Sequence, residues 1–160
     1  MNLSPSLKGL ITAALMIGVF LLVFRISKTG SNTLQLGIYA IYAAGIAWTL
    51  LAYRSSPAFT AKFADAFQQG FRCFVVVTLS MALFYWIFNY FHPEFSEQTA
   101  QALREQLNAD RSKLPTEVDD AVSTFKKQYT LKLVSGAIFG YLIIGAGITA
   151  AVSALIIRRK

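Results

Sequence analysis

Residues 133–157 read LVSGAIFGYLIIGAGITAAVSALII, 25 residues with no Asp, Glu, Lys or Arg, closed by Arg158-Arg159-Lys160. A helix crosses the hydrocarbon core of a bilayer with about 20 mostly apolar residues. In lipid each backbone polar group must be satisfied within the segment, which a helix achieves by itself. This stretch therefore reads as a membrane span. Working outward, three further runs lack charge: residues 73–91 (19 residues), 29–53 (25) and 9–24 (16). The last is short, but Leu7 and Ile26 extend it, and Lys8 and Arg25 are expected to snorkel to the interface. It could also serve as a signal peptide, but the Phe24-Arg25-Ile26-Ser27 sequence after it is a poor cleavage site, so it reads as a retained span. The expected fold is all-α: an integral membrane four-helix bundle with spans at about 7–26, 33–53, 72–91 and 132–157. It forms one domain over residues 1–160.

Composition agrees. The chain is 55% hydrophobic and 14% charged, with a mean hydropathy of +0.50, where a soluble domain carries about 25% charged residues. That deficit excludes a disordered chain and an ordinary soluble enzyme. The net charge of +7 calls for an anionic partner. The basic residues flank the apolar runs instead of forming one face, so the partner expected is the lipid bilayer and not nucleic acid.

Basic residues also set orientation. Four spans put both termini on one side, together with Lys8, Arg54, Lys62, Arg72, Arg158, Arg159 and Lys160, seven basic residues against the single acid Asp65. The other side carries eight basic residues and seven acids. The denser positive side, ending in the basic tail, is assigned to the cytoplasm. Tyr39, Tyr42, Phe84, Tyr85, Trp86, Phe88, Tyr90, Phe91, Phe139 and Tyr141 lie in the outer halves of their spans and read as an anchoring belt plus helix packing, the alternative being an aromatic-lined lipid or quinone groove.

Two connections carry structure of their own. In residues 57–71, Ser55 or Ser56 is placed to cap, Pro57 to occupy the first helical position, and Phe59, Phe63, Phe67 and Phe71 to form a stripe. That predicts an interfacial helix; the alternative is an extension of the third span. Residues 92–130 are the only sizeable polar part. They predict an extramembrane amphipathic helical hairpin between spans three and four. Its first helix runs over about 94–109. Its second is capped by Thr116 with Asp119 as partner and runs on into the fourth span. Leu103 and Leu107 are expected to face Val118 and Val122.

Chemistry-bearing patterns are sparse. No titratable group lies within the middle of a span, which argues against a proton relay or voltage sensor. His92 with Glu94 and Glu97 makes a weak metal set, and the reading preferred is a solvated His ending the third span. Cys73 alone makes no disulfide and reads as a small apolar residue. No cofactor is called for, and no catalytic or metal-ligating residue is assigned. The informative pattern is small residues: Gly136, Gly140, Gly145 and Gly147 in the fourth span, Gly37 and Gly45 in the second, and Gly9 and Gly18 in the first. Small residues a turn apart let helix backbones approach closely in lipid, within one chain, in a homo-oligomer or against a membrane-complex partner.

The layout resembles a domain-of-unknown-function family of small four-span bacterial inner-membrane proteins. The likeness rests on Phe63, Ala66, Phe67, Gly70, Phe71 and Arg72 ahead of span three, the polar helical insertion, and the small-residue-rich last span with its basic tail. It implies four spans and a bacterial inner-membrane location, and it implies no activity. The function expected is that of a non-enzymatic structural or accessory membrane subunit. The alternatives are an oligomeric transporter or channel without charged coupling residues and, last, a lipid-acting enzyme using His92.

Overall fold

A computed structural model describes residues 3–26, 32–109 and 114–158. They form five helices: α1 (Pro5–Ile26), α2 (Asn32–Arg54), α3 (Phe63–Phe91), α4 (Glu94–Ala109) and α5 (Pro115–Arg158). Strands are absent among the described residues. Four of these helices, α1, α2, α3 and α5, are long and apolar enough to cross a membrane. The protein is an all-helical, multi-pass membrane protein.

The chain divides into two compact units. The first comprises residues 1–81 and 138–160, hence α1, α2, the first part of α3 and the second part of α5. Its buried positions recur every three or four residues on each helix: Thr12, Ala13 and Met16 on α1; Ile38, Tyr42, Ile46, Thr49 and Leu50 on α2; Ala66, Cys73, Phe74, Val77 and Met81 on α3; Tyr141, Thr149, Ser153 and Ile156 on α5. This is the 3.6-residue period of a helix with one face packed. The opposite faces carry Leu22, Leu79, Ile143 and Leu155 outward. In water such a surface would be an aggregation hazard; in hydrocarbon it is the matched surface.

The second unit, residues 82–137, holds the end of α3, all of α4 and the first part of α5. Arg104 pairs with Asp119, and Lys126 Nζ lies 3.6 Å from Glu97 Oε1. These pairings tie α4 to α5 in antiparallel order, so the helical hairpin is formed. Val118 and Ala100 are buried in it, and Leu103, Leu107 and Val122 are half-buried.

Three local features differ from the sequence reading. The separate helix over 57–71 does not form. Ser55 Oγ donates to the Leu51 carbonyl at 3.2 Å and Ser56 Oγ to the Tyr53 carbonyl at 2.8 Å. Both hydroxyls are used to close α2 and not to cap a new helix. Ala61 adopts φ 56°, and Thr60 Oγ1 donates to Asp65 Oδ2 at 2.5 Å, ahead of a helix that starts at Phe63 and runs unbroken to Phe91. The alternative reading, an extension of the third span, is the one found.

At α5 the start is Pro115, not Thr116. Proline suits the first helical position because its missing N–H has no partner to lose there. Glu117 Oε2 accepts from the Leu114 N–H at 3.1 Å, half of a capping box, while Asp119 is engaged by Arg104. Third, Tyr42 and Tyr141 belong to the helix packing and not to the belt. Both are buried, and their rings meet edge to face with centroids 5.4 Å apart.

Candidate functional site

Helix contacts in the first unit are built on glycine. A Cβ placed on Gly9 of α1 would fall 2.6 Å from the Cys73 carbonyl oxygen of α3. One on Gly45 of α2 would collide with Thr12 of α1, and one on Gly70 of α3 with Thr149 of α5. One on Gly145 of α5 would meet the Tyr42 hydroxyl and lie 2.9 Å from Phe74 Cβ. Each of the four helices thus gives one glycine to a neighbour, and the backbones close to distances that a methyl group would prevent.

Of the glycines singled out from the sequence, Gly9, Gly45 and Gly145 are therefore at helix contacts. Gly18, Gly37, Gly136, Gly140 and Gly147 are elsewhere: a Cβ on any of them meets nothing within 4 Å. The Gly136/Gly140 pair has textual spacing but lies on a face of α5 away from Tyr141, Gly145 and Thr149. The reason is phase. The buried positions 141, 145, 149 and 153 repeat every four residues, and 136 and 140 fall off that row. Gly70, which the sequence reading did not assign as a packing site, is one.

Polar groups in this core are mostly satisfied locally. Thr12 Oγ1 donates to the Lys8 carbonyl at 2.8 Å and Thr78 Oγ1 to the Phe74 carbonyl at 2.8 Å. Thr49 Oγ1 donates to the Gly45 carbonyl at 2.9 Å and lies 3.3 Å from Cys73 Sγ. Cys73 is fully buried. A longer-range polar link is made by Tyr42, whose hydroxyl donates to the Tyr141 carbonyl at 2.9 Å. Thr149 Oγ1 and Ser153 Oγ have no hydrogen-bond partner among the described residues.

One cavity of about 270 Å³ opens in this unit, lined by the start of α1 (Leu3, Ser4, Pro5, Lys8), the end of α2 (Thr49, Ala52, Tyr53), the turn after it (Ser56, Ala58) and Gln69 of α3. Lys8 does not snorkel outward. It is only 8% exposed, and its Nζ stands 5.7 Å from the centroid of the Trp48 ring, a cation–π distance. No carboxylate is within ion-pair reach of it among the described residues.

The phenylalanines expected as an interfacial stripe separate into pairs. Phe63 stacks on Phe67 with centroids 5.9 Å apart, Phe71 meets Phe74 edge-on at 5.2 Å, and Phe59 meets Tyr53 at 5.5 Å. Phe63 and Phe71 remain exposed, as does Trp86. The buried side of this part of α3 is Ala66 and Gly70, not the phenylalanines. In the second unit the His92 ring packs on Phe88 at 4.5 Å, and its Nδ1 lies 2.6 Å from Glu94 Oε1. That hydrogen bond, with a backbone one, holds the Glu94 carboxyl below the usual range. Asn89 Nδ2 donates to Thr130 Oγ1 at 2.5 Å, joining the end of α3 to α5. Among the described residues no group of three His, Cys, Asp or Glu is arranged to hold a metal ion.

No curated protein and no solved structure matches the chain. A family model does, over residues 7–159, which takes in all four long apolar helices and the polar insertion. The chain belongs to the family described as Protein of unknown function (DUF4199).

Proposed function

We propose that this is a non-enzymatic accessory subunit of a bacterial inner membrane, packing through α5 and α2 against a second helical surface, either its own copy or a larger membrane complex. The observation that carries the reading is the placement of Gly37, Gly136, Gly140 and Gly147 where a side chain would meet nothing. A glycine inside a helix costs about 1 kcal/mol relative to alanine, and the contacts within this chain gain nothing from these four. A helix approaching from outside would gain, because close backbone approach is the main source of association in lipid. The turn at 55–62 and Arg158 are assigned to the cytoplasmic side, from the density of basic residues there.

The test is affinity purification of the full chain in mild detergent, with mass spectrometry and a light-scattering mass. A stoichiometric partner or a dimer that Gly136→Leu/Gly140→Leu disperses supports the reading, and a lone monomer overturns it. A second reading, a passive oligomeric path, is favoured by the two unpartnered hydroxyls of Thr149 and Ser153. It requires solute flux in reconstituted vesicles that Thr149→Val/Ser153→Ala reduces.

A further inference from the structure

An ammonium group withdrawn from water is costly unless an opposite charge meets it. Lys8 is withdrawn, is 8% exposed, and among the described residues has the Trp48 ring for partial compensation. It lines a cavity whose other polar walls are neutral: the hydroxyls of Ser4, Thr49, Tyr53 and Ser56, and the Gln69 amide. No Asp or Glu is among the lining residues. Thr49 and Ser56 give their hydroxyl protons to the Gly45 and Tyr53 carbonyls, and Tyr53 gives its own to Thr60, which itself donates to Asp65. The donors left for a ligand are the Lys8 ammonium, the Ser4 hydroxyl and the Gln69 amide, and neutral donors around one ammonium suit an oxyanion, with lysine as the point charge. At about 270 Å³ the space is just under the roughly 300–1,000 Å³ of drug-sized ligand sites. It fits a headgroup or a small anion. Its place, where α1 begins and α2 ends, is the end of two apolar helices, and basic pockets between spans are where acidic headgroups bind.

We propose that this cavity is a binding site for a phosphate-bearing anion, with Lys8 as its counter-charge and Ser4 and Gln69 as donors. The inference rests on the membrane reading of the four helices and not on the accessory role, so either can fail alone.

The experiment measures thermal unfolding of the full chain in an uncharged, phosphate-free detergent. The probes are phosphatidylglycerol, a neutral glycolipid lacking phosphate, and inorganic phosphate at constant ionic strength. Stabilisation by phosphatidylglycerol alone assigns a lipid headgroup. Stabilisation by inorganic phosphate as well assigns a soluble phosphate. In either case Lys8→Met, which keeps the stem over Trp48, should weaken the apparent affinity roughly tenfold or more, the loss of one charge-assisted hydrogen bond. Lys8→Arg should retain most of it. No stabilisation by either phosphate probe, an equal response to the neutral glycolipid, or an unchanged response in Lys8→Met overturns the proposal. Should Lys8→Met not fold, Ser4→Ala/Gln69→Leu and native mass spectrometry of the unmodified chain take its place. Loss of retained phospholipid or phosphate in the double variant supports the site, and no retained phosphate species in the unmodified chain overturns it.

Discussion

At the scale of the residue, the glycines sort by what a single methyl group would strike. Gly45→Ala and Gly145→Ala should each destabilise the protein by about 1–3 kcal/mol, the range for overpacking a close contact, because Thr12 or Tyr42 and Phe74 stand in the way. Gly140→Ala should leave thermal unfolding of the monomer unchanged or raise it slightly, since nothing is near and alanine is the better helix former. Unfolding in detergent separates the two classes.

Glu94 supplies a second test at this scale. Its carboxyl is held low first by the His92 hydrogen bond. A group whose pKa is depressed on folding stabilises above its unfolded value, about 4.3 for Glu, and that contribution fades as pH falls through the folded value. The local His92–Glu94 closure should therefore be lost in acid. A nuclear magnetic resonance titration of the Glu94 carboxyl carbon should show a midpoint below the ordinary glutamate range, moving up in His92→Ala. An unmoved midpoint would contradict the assignment.

At the scale of the element, the boundaries show what local sequence encodes and what it leaves to context. The apolar runs marked all four long helices, because exclusion of charge over 16–25 residues is a strong constraint that only a span imposes. The α4 bounds and the unbroken passage from the hairpin into the last span were legible for a similar reason: Pro93 and the 110–115 break interrupt the pattern, and nothing interrupts it before Leu133. The 57–71 segment was not legible. Ser-Ser-Pro is chemically able to open a helix or to close the one before it, and what decides is that the Leu51 and Tyr53 carbonyls at the end of α2 take both the N–H and the hydroxyl of Ser55 and Ser56 respectively. Ala61 carries the cost of the resulting turn. Its φ of 56° is a left-handed conformation that costs a non-glycine residue about 1–2 kcal/mol. Ala61→Gly should raise the unfolding temperature in detergent, and a fall would show that the turn is held differently. The packing glycines were half legible. Spacing identifies small residues, but which row of a helix faces inward depends on the neighbour that arrives there, and Gly70 is a site only because Thr149 fills it.

At the scale of the whole molecule, the helix lengths bear on topology. α3 has 29 residues and α5 has 44, about 44 Å and 66 Å at 1.5 Å per residue, against a hydrocarbon thickness of about 30 Å. Both therefore extend beyond the core of a bilayer, α5 by more than half its length, in keeping with the polar character of residues 115–132. A cysteine at Ser55 and one at Gln98, each exposed and separated by α3, should be labelled by a membrane-impermeant thiol reagent from opposite faces in a Cys73→Ser background. Gln98 should react in intact cells and Ser55 only after lysis. Labelling of both from one face would remove α3 as a crossing.

The bond between Tyr42 and Tyr141 joins positions 99 residues apart, and this fixes an order on biogenesis. When the ribosome has released only the first two helices into the insertion machinery, the phenol has no carbonyl to receive its proton and the notch at Gly145 has not been made. The nascent chain must hold that donor in the insertion machinery or against lipid headgroups until its last helix is synthesised. A chain stopped short of α5 should be cleared by membrane proteolysis, and co-expression of α5 as a separate polypeptide should rescue its lifetime in a pulse-chase experiment.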